Sequence, residues 1–189
     1  MLEVIAGCMY SGKSEELTRR LRRCQIAGQR VLALKPACDD RYSAEAIATH
    51  TGDLFQATSV ASVDDLASAT TKGDFDVLGV DEAQFFESTL TDLLESLANQ
   101  GYRVIVAGLD LDSNGNPFGP IPDLLAKADT VTKLSAVCVA PATTGEGKRC
   151  GKQATRSYRI PQRSSGKLIQ VGSTGVYEAR CRICWVAGQ

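Results

Sequence analysis

The stretch GCMYSGKS, residues 7–14, follows directly on the apolar run LEVIA at residues 2–6. It satisfies G-x-x-x-x-G-K-[ST], the phosphate-binding spacing, and that spacing constrains much of the fold at once. A short buried strand has to end at Gly7, and a helix has to start near Lys13. The loop between them then aims successive backbone N–H groups inward, and the helix N-terminus adds partial positive charge. Gly7 and Gly12 permit backbone conformations and close approaches that a Cβ would block. Lys13 is placed to reach the β- and γ-phosphates of a nucleotide, and Ser14 to ligand Mg²⁺. The candidate phosphate site is therefore Gly7, Cys8, Met9, Tyr10, Ser11, Gly12, Lys13 and Ser14.

The remaining periodicity agrees with a strand–loop–helix start. GKSEELTRRLRRCQIAGQ carries Leu17, Leu21 and Ile26 among charges and predicts an amphipathic helix closing near Gly28. RVLALKP reads as a second apolar strand, and CDDRYSAEAIATHTGD as a polar loop. LFQATSVA reads as a strand, and SVDDLASAT as a short helix with a capping-box start at Ser62 and Asp65. FDVLGVDEAQ is a buried strand ending in acids. FESTLTDLLESLANQG is a helix with Leu90, Leu93, Leu94 and Leu97 on one side, and YRVIVAGLD and TVTKLSAV are further strands. Strand and helix alternate from residue 2 to about residue 137. The expected fold is α/β, a phosphate-loop-type parallel sheet with helices on both faces, spanning residues 1–137.

The second acidic feature is the strand end VLGVDE. An aspartate at that place holds the Mg²⁺ shell in phosphate-loop enzymes, which points to Asp81. Glu82 beside it suits a base or a group that orients a nucleophile, with Ala83 and Gln84 continuing the segment. The chemistry implied is Mg-nucleotide-dependent phosphoryl transfer or hydrolysis.

After Val137 apolar periodicity fades, and the last roughly 50 residues are too few for a robust core of their own. Four of the seven cysteines lie there, so the segment 138–189 is expected to be a small metal-bound lobe. Cys181 and Cys184 form C-x-x-C, and with Cys138 and Cys150 they would hold a structural Zn²⁺ tetrahedrally. Eleven residues separate Cys138 from Cys150, where two to four are usual, and buried free thiols are the alternative for that pair. Cys8, Cys24 and Cys38 read as ordinary core or loop cysteines. No basic leader precedes an apolar stretch, so a reducing cytosol is expected. A net charge of −1 gives no argument for nucleic acid or membrane. The tail arginines and lysines, among them Arg156, Arg159, Arg163 and Lys167, lack the interleaved aromatics of a strand-binding groove and suit solvent, phosphate or subunit contacts. His50, the only histidine, reads as a loop surface residue, and Asp110 and Asp112 as helix-entry or loop acids.

Eight segments in order resemble thymidine kinases of the cellular type. GCMYSGKS resembles that family's G-x-M-[FY]-S-G-K-[ST], and DEAQFF its D-E-[AG]-Q-F-F. RRCQIAGQRVLALKP, DDRY with the following ATH, GLDLD through PFGP, CGKQATRSYR and VYEARCRIC are similar to its other elements. The resemblance implies ATP-dependent transfer of the γ-phosphoryl to the 5′-hydroxyl of thymidine, in nucleoside salvage for DNA synthesis. It implies Glu82 as general base, Arg41 stabilising charge at the transferring group, and Asp39 assisting at Mg²⁺ or at that arginine. Met9, Phe85, Leu109 and Phe118 would line the base pocket. A lasso of Val171, Gly172, Ser173, Thr174 and Gly175 would read the thymine edge, closed by Tyr177. It further implies a cytoplasmic homo-oligomer, a tetramer or a dimer, inhibited by the triphosphate end product.

Two departures bear on the site. The family usually carries an aromatic where this chain has Ser113, so one wall of the base pocket is expected to be missing or replaced. The first cysteine pair is typically C-x-x-C there, so this lobe must accommodate nine extra residues.

Overall fold

The computed structural model describes residues 1–39, 46–48, 54–71, 73–142, 147–161, 175–186 and 188. Its frame is a six-stranded sheet of β1 (Leu2–Gly7), β2 (Val31–Pro36), β5 (Thr58–Val60), β6 (Val77–Val80), β7 (Arg103–Gly108) and β8 (Thr130–Leu134). The spatial order is β5-β2-β6-β7-β1-β8, and every pairing is parallel. β1, the fifth of the six, is buried at every residue. Its side chains divide by the strand period of two. Leu2, Val4 and Ala6 join the cluster under α2 (Val63–Thr71), α3 (Leu90–Asn99) and α4 (Ile121–Lys127). Ile5 joins the opposite cluster with Leu17, Leu21 and Cys24 of α1 (Lys13–Ile26). A parallel sheet covered on both faces explains why these strands read as continuous apolar runs.

A buried charge network docks α1 onto the sheet. Glu3 on β1 accepts from Arg20 of α1 and from Arg103 of β7, both at 2.7 Å. Arg20 also donates to Thr132 on β8 at 2.8 Å and to Glu16 at 2.8 Å. The capping-box reading of α2 holds: the Ser62 hydroxyl accepts from the Asp65 amide at 3.1 Å and donates to its carboxylate at 2.9 Å.

Three local readings change. The polar stretch before residue 53 contains a short strand, β3 (Ala46–Ala48), antiparallel to β4 (Leu54–Gln56). LFQATSVA is therefore two strands, β4 in that hairpin and β5 on the edge of the main sheet, because alternate side chains Phe55 and Ala57 turn to the α1 face. TVTKLSAV also divides: β8 ends at Leu134, and β9 (Ala136–Val137) leaves the sheet to pair with β10 (Gln153–Ala154). Helix α4 was not apparent in the sequence, because seven residues opening on Pro120 and Pro122 are too short for a periodic signal.

The C-terminal lobe adds β11 (Arg156–Arg159) antiparallel to β12 (Tyr177–Arg180), followed by α5 (Arg182–Val186). Its interior consists of Cys138, Ala140, Ala154, Ala179 and Cys181, with Ala136, Cys150 and Cys184 at the margin. Among the described residues this cluster holds alanine and cysteine side chains, while Tyr158 and Val176 of the lobe are buried outside it. Cys8 of the phosphate loop belongs to the same cluster.

Candidate active site

The phosphate loop forms as the motif dictates. Gly7 ends β1 so close to the neighbouring strand that an added Cβ would stand 2.5 Å from the Leu134 carbonyl oxygen. Gly12 caps α1 in the left-handed region at φ 83°. Lys13 is buried and curls back across the loop, donating from Nζ to the Cys8 carbonyl at 2.9 Å. The Ser11 hydroxyl is buried beside Gly7, with no hydrogen-bond partner among the described residues.

Beyond the end of β6, Asp81 is buried and receives the Ser14 hydroxyl. Burial, and next the charge of Glu82, push its carboxyl up to about 7, against the opposing pull of Ser14, the Glu82 amide and Lys13. This is a hard-oxygen pair beside a lysine, a donor set that suits Mg²⁺. Glu82 follows in the left-handed region, φ 48° and ψ 39°, which costs a residue with a Cβ about 1–3 kcal/mol. Its buried carboxylate accepts a short hydrogen bond from Gln84 Nε2. Gln84 Oε1 in turn accepts from the Leu109 amide at 2.9 Å, tying the end of β6 to the end of β7. Gly119 packs on the Gln84 carbonyl, and the Phe85 and Phe118 rings meet edge to face at 5.7 Å. Ala83, Gln84, Phe85, Leu109 and Phe118 are thus brought together around Glu82.

Asp39 is buried at the turn after β2, and the buried Lys35 donates to its carbonyl at 3.0 Å. Arg41, His50 and lasso residues Val171, Gly172, Ser173 and Thr174 lie outside the described residues. Gly175 is described at the edge of that segment. Tyr177 opens β12 opposite Arg159. Asp110 is a buried partner of Lys133 at 2.8 Å, and Asp112 accepts from the amides of Asn114 and Asn116 within its own loop. Both are loop acids, as their sequence setting suggests.

The lobe grips the phosphate loop at three successive residues. Cys8 Sγ donates to the Ala154 carbonyl at 3.3 Å, the Met9 amide to Ser157 Oγ at 3.1 Å, and the Tyr10 hydroxyl to the Tyr177 carbonyl at 3.3 Å. Ser157 and Trp185 are site residues that sequence reasoning missed. Both act across more than 70 residues of separation, where no local pattern carries a signal. Ser113 keeps a half-buried side chain, and its carbonyl accepts from the Trp185 indole at 3.2 Å.

The sulfurs of Cys138, Cys150, Cys181 and Cys184 all lie within 4.8 Å of one another. Cys150 and Cys181 are 3.9 Å apart, too far for a disulfide and close to the ~3.8 Å edge of a tetrahedron with 2.3 Å Zn–S bonds. Burial is mixed, and the Cys184 N–H approaches the Cys181 sulfur at 3.5 Å. That contact helps hold the Cys181 thiol down to about 7, while hydrogen bonds to Cys181 and Cys150 push the Cys184 thiol up to about 12. The four residues fit zinc. The long Cys138–Cys150 spacing is a hairpin that closes on itself: Ala142 donates to Lys148 at 2.9 Å and Cys150 to Ala140 at 2.8 Å. These bonds at the two ends of the insertion return the thiols to one place.

Among solved structures, the chain is similar to one described as the crystal structure of DNA replication initiation factor. That similarity has 14% identity and a TM-score of 0.42, covering 70% of this chain and 40% of the other. A family model for thymidine kinase matches residues 1–185, nearly the whole length. The chain belongs to the thymidine kinase family, a family of ATP-dependent phosphotransferases.

Proposed function

We propose that this protein transfers the γ-phosphoryl group of ATP to the 5′-hydroxyl of thymidine. The observation that carries the reading is the pairing of Asp81 and Glu82 at one strand end. Asp81 is bonded to Ser14 of the phosphate loop, and Glu82 is turned by its left-handed backbone toward the Gln84–Leu109 side. One carboxylate would serve the phosphate side, and the next, bonded to Gln84, would serve the side where Phe85 and Phe118 meet.

The triphosphate would lie on residues Gly7 to Ser14, with Lys13 on its β- and γ-oxygens. Ser14 and Asp81, with Asp39 assisting, would hold Mg²⁺, which would supply charge neutralisation at the transferring group. Glu82 takes the proton of the sugar hydroxyl as its oxygen bonds to the γ-phosphorus. The bond from that phosphorus to the β,γ-bridging oxygen breaks, and ADP leaves with the electron pair. Arg41 would stabilise the charge spread over the γ-oxygens. Met9, Phe85, Leu109 and Phe118 would enclose the base, with Ser113 in the loop beside them. Val171 to Gly175 would read its polar edge under Tyr177. An apolar wall with amide partners at one edge suits thymine. Zinc on the four cysteines would brace the lobe that holds Cys8, Met9 and Tyr10. We extend the reading to a cytoplasmic homo-oligomer, tetramer or dimer, inhibited by the triphosphate end product. Among the described residues no helix is long and apolar enough to cross a membrane.

The test is incubation with γ-labelled ATP, Mg²⁺ and thymidine. Labelled thymidine monophosphate is expected. ATP hydrolysis without nucleoside transfer, stimulated by single-stranded DNA or RNA, would overturn the reading.

A further inference from the structure

The chain has one tryptophan, and it stands beside a zinc ligand. Trp185 follows Cys184 in α5, and its amide donates to the Cys181 carbonyl at 2.9 Å. Its ring reaches another part of the molecule. Indole Nε1 donates to the Ser113 carbonyl at 3.2 Å, 72 residues away in the chain. The ring lies flat enough against Gly115 that a Cβ there would stand 2.9 Å from Cη2 and 3.2 Å from Cζ2. Only a glycine admits the indole at that distance.

The loop it holds is small and tightly closed. Asp112 accepts from the amides of Asn114 and Asn116, Leu111 bridges to Pro117, and the Phe118 amide donates to the Asp110 carbonyl at 3.2 Å. Such a loop moves as a unit, and it ends in Phe118, whose ring packs edge-on to Phe85 beside Gln84 and Glu82. On the other side, α5 is anchored to a lobe whose cluster around the thiols is alanine and cysteine, with four sulfurs placed to share one metal.

We propose that Trp185 is a positioning residue that makes the geometry of the 110–118 loop, and through Phe118 the nucleoside side of the site, depend on metal occupancy of the four cysteines. This rests on the nucleoside-kinase reading for its functional consequence but not for the coupling itself. Losing one indole hydrogen bond together with the ring contact corresponds to about a tenfold effect.

The experiment compares the zinc-loaded full chain with Trp185→Phe and Trp185→Ala, each before and after chelation. Hydrogen exchange is followed in peptides covering 110–118 and, as a control, α3. In Trp185→Ala, exchange in 110–118 is expected to rise about tenfold with α3 unchanged, and Trp185→Phe to fall between. Chelation of the wild type should reproduce the rise in 110–118 and red-shift the single tryptophan's emission. Chelation of Trp185→Ala should add nothing further at the loop. The KM for thymidine should rise about tenfold in Trp185→Ala with the KM for ATP unchanged, and Trp185→Phe should recover part of it. Should Trp185→Ala lose α3 protection, Trp185→Phe decides by the same criterion. Equal loop protection in wild type and variants, or an equal effect of chelation in both, would overturn the proposal. A wild type that fails to phosphorylate thymidine sinks the kinase reading, while the exchange and emission arms, which contain no nucleoside, still decide this one.

Discussion

Glu82 occupies a backbone conformation that a glycine would adopt at no steric cost, φ 48°, and it does so buried next to a second carboxylate. Strain of that kind persists where a side chain's direction matters more than stability. Replacing it with glycine should therefore raise folding stability by about 1 kcal/mol in urea titrations while abolishing phosphoryl transfer. A variant that is both less stable and still active would contradict the assignment. Asp81 carries the complementary signature. Its carboxyl is raised from 3.8 to about 7, so the protonated form is the one the cation-free fold prefers. Stability from that preference is complete below about pH 4 and is lost as pH rises through about 7. Asp81→Asn should gain on the wild type by a few kcal/mol over that range in Mg-free buffer, as read from urea midpoints. A difference that stays flat with pH would show that burial does not hold the proton on Asp81.

At the scale of elements, α1 owes its seat to Glu3, a buried acid shared by Arg20 and Arg103. Glu3→Ala leaves two guanidiniums facing one another and should cost about 3–5 kcal/mol in equilibrium unfolding, several times the effect of an exposed pair such as Lys127 with Asp92. The elements that sequence made legible are those whose pattern is local. β1, α1 and β6 were readable because Gly7, Gly12, Lys13 and the apolar run before Asp81 declare strand, turn and helix within a few residues of each other. Gln84 was placed at the site because it adjoins Asp81 and Glu82, and Phe85 because the family resemblance implies it. The rest was hidden for two reasons. β3, β4 and α4 have three to seven residues, shorter than a periodic signal needs. Ser157, Lys35 and Trp185 act on backbone groups: the Met9 amide, the Asp39 carbonyl and the Ser113 carbonyl. A backbone partner leaves no trace in residue type.

For the molecule as a whole, the sheet and the lobe have separate interiors, and Cys8 is the side chain of the phosphate loop counted in the second. Removing metal should therefore strip hydrogen-exchange protection from the 136–142, 147–161 and 175–186 segments while β1, β6 and β7 keep theirs. Concerted unfolding of both, or no change in either, would contradict that division. ATP affinity should also weaken, because Met9 and Tyr10 lose their partners on β11 and β12. On the proposed reading, nucleotide lies on one side of a strand end and acceptor on the other, with Glu82 between them. The most direct test is single-turnover transfer from γ-labelled ATP to thymidine by Glu82→Gln, with ATP affinity measured in parallel. A fall of about 10²–10⁴-fold in the transfer rate with ATP affinity preserved is the predicted result. A rate within about tenfold of the wild type would remove Glu82 as the base.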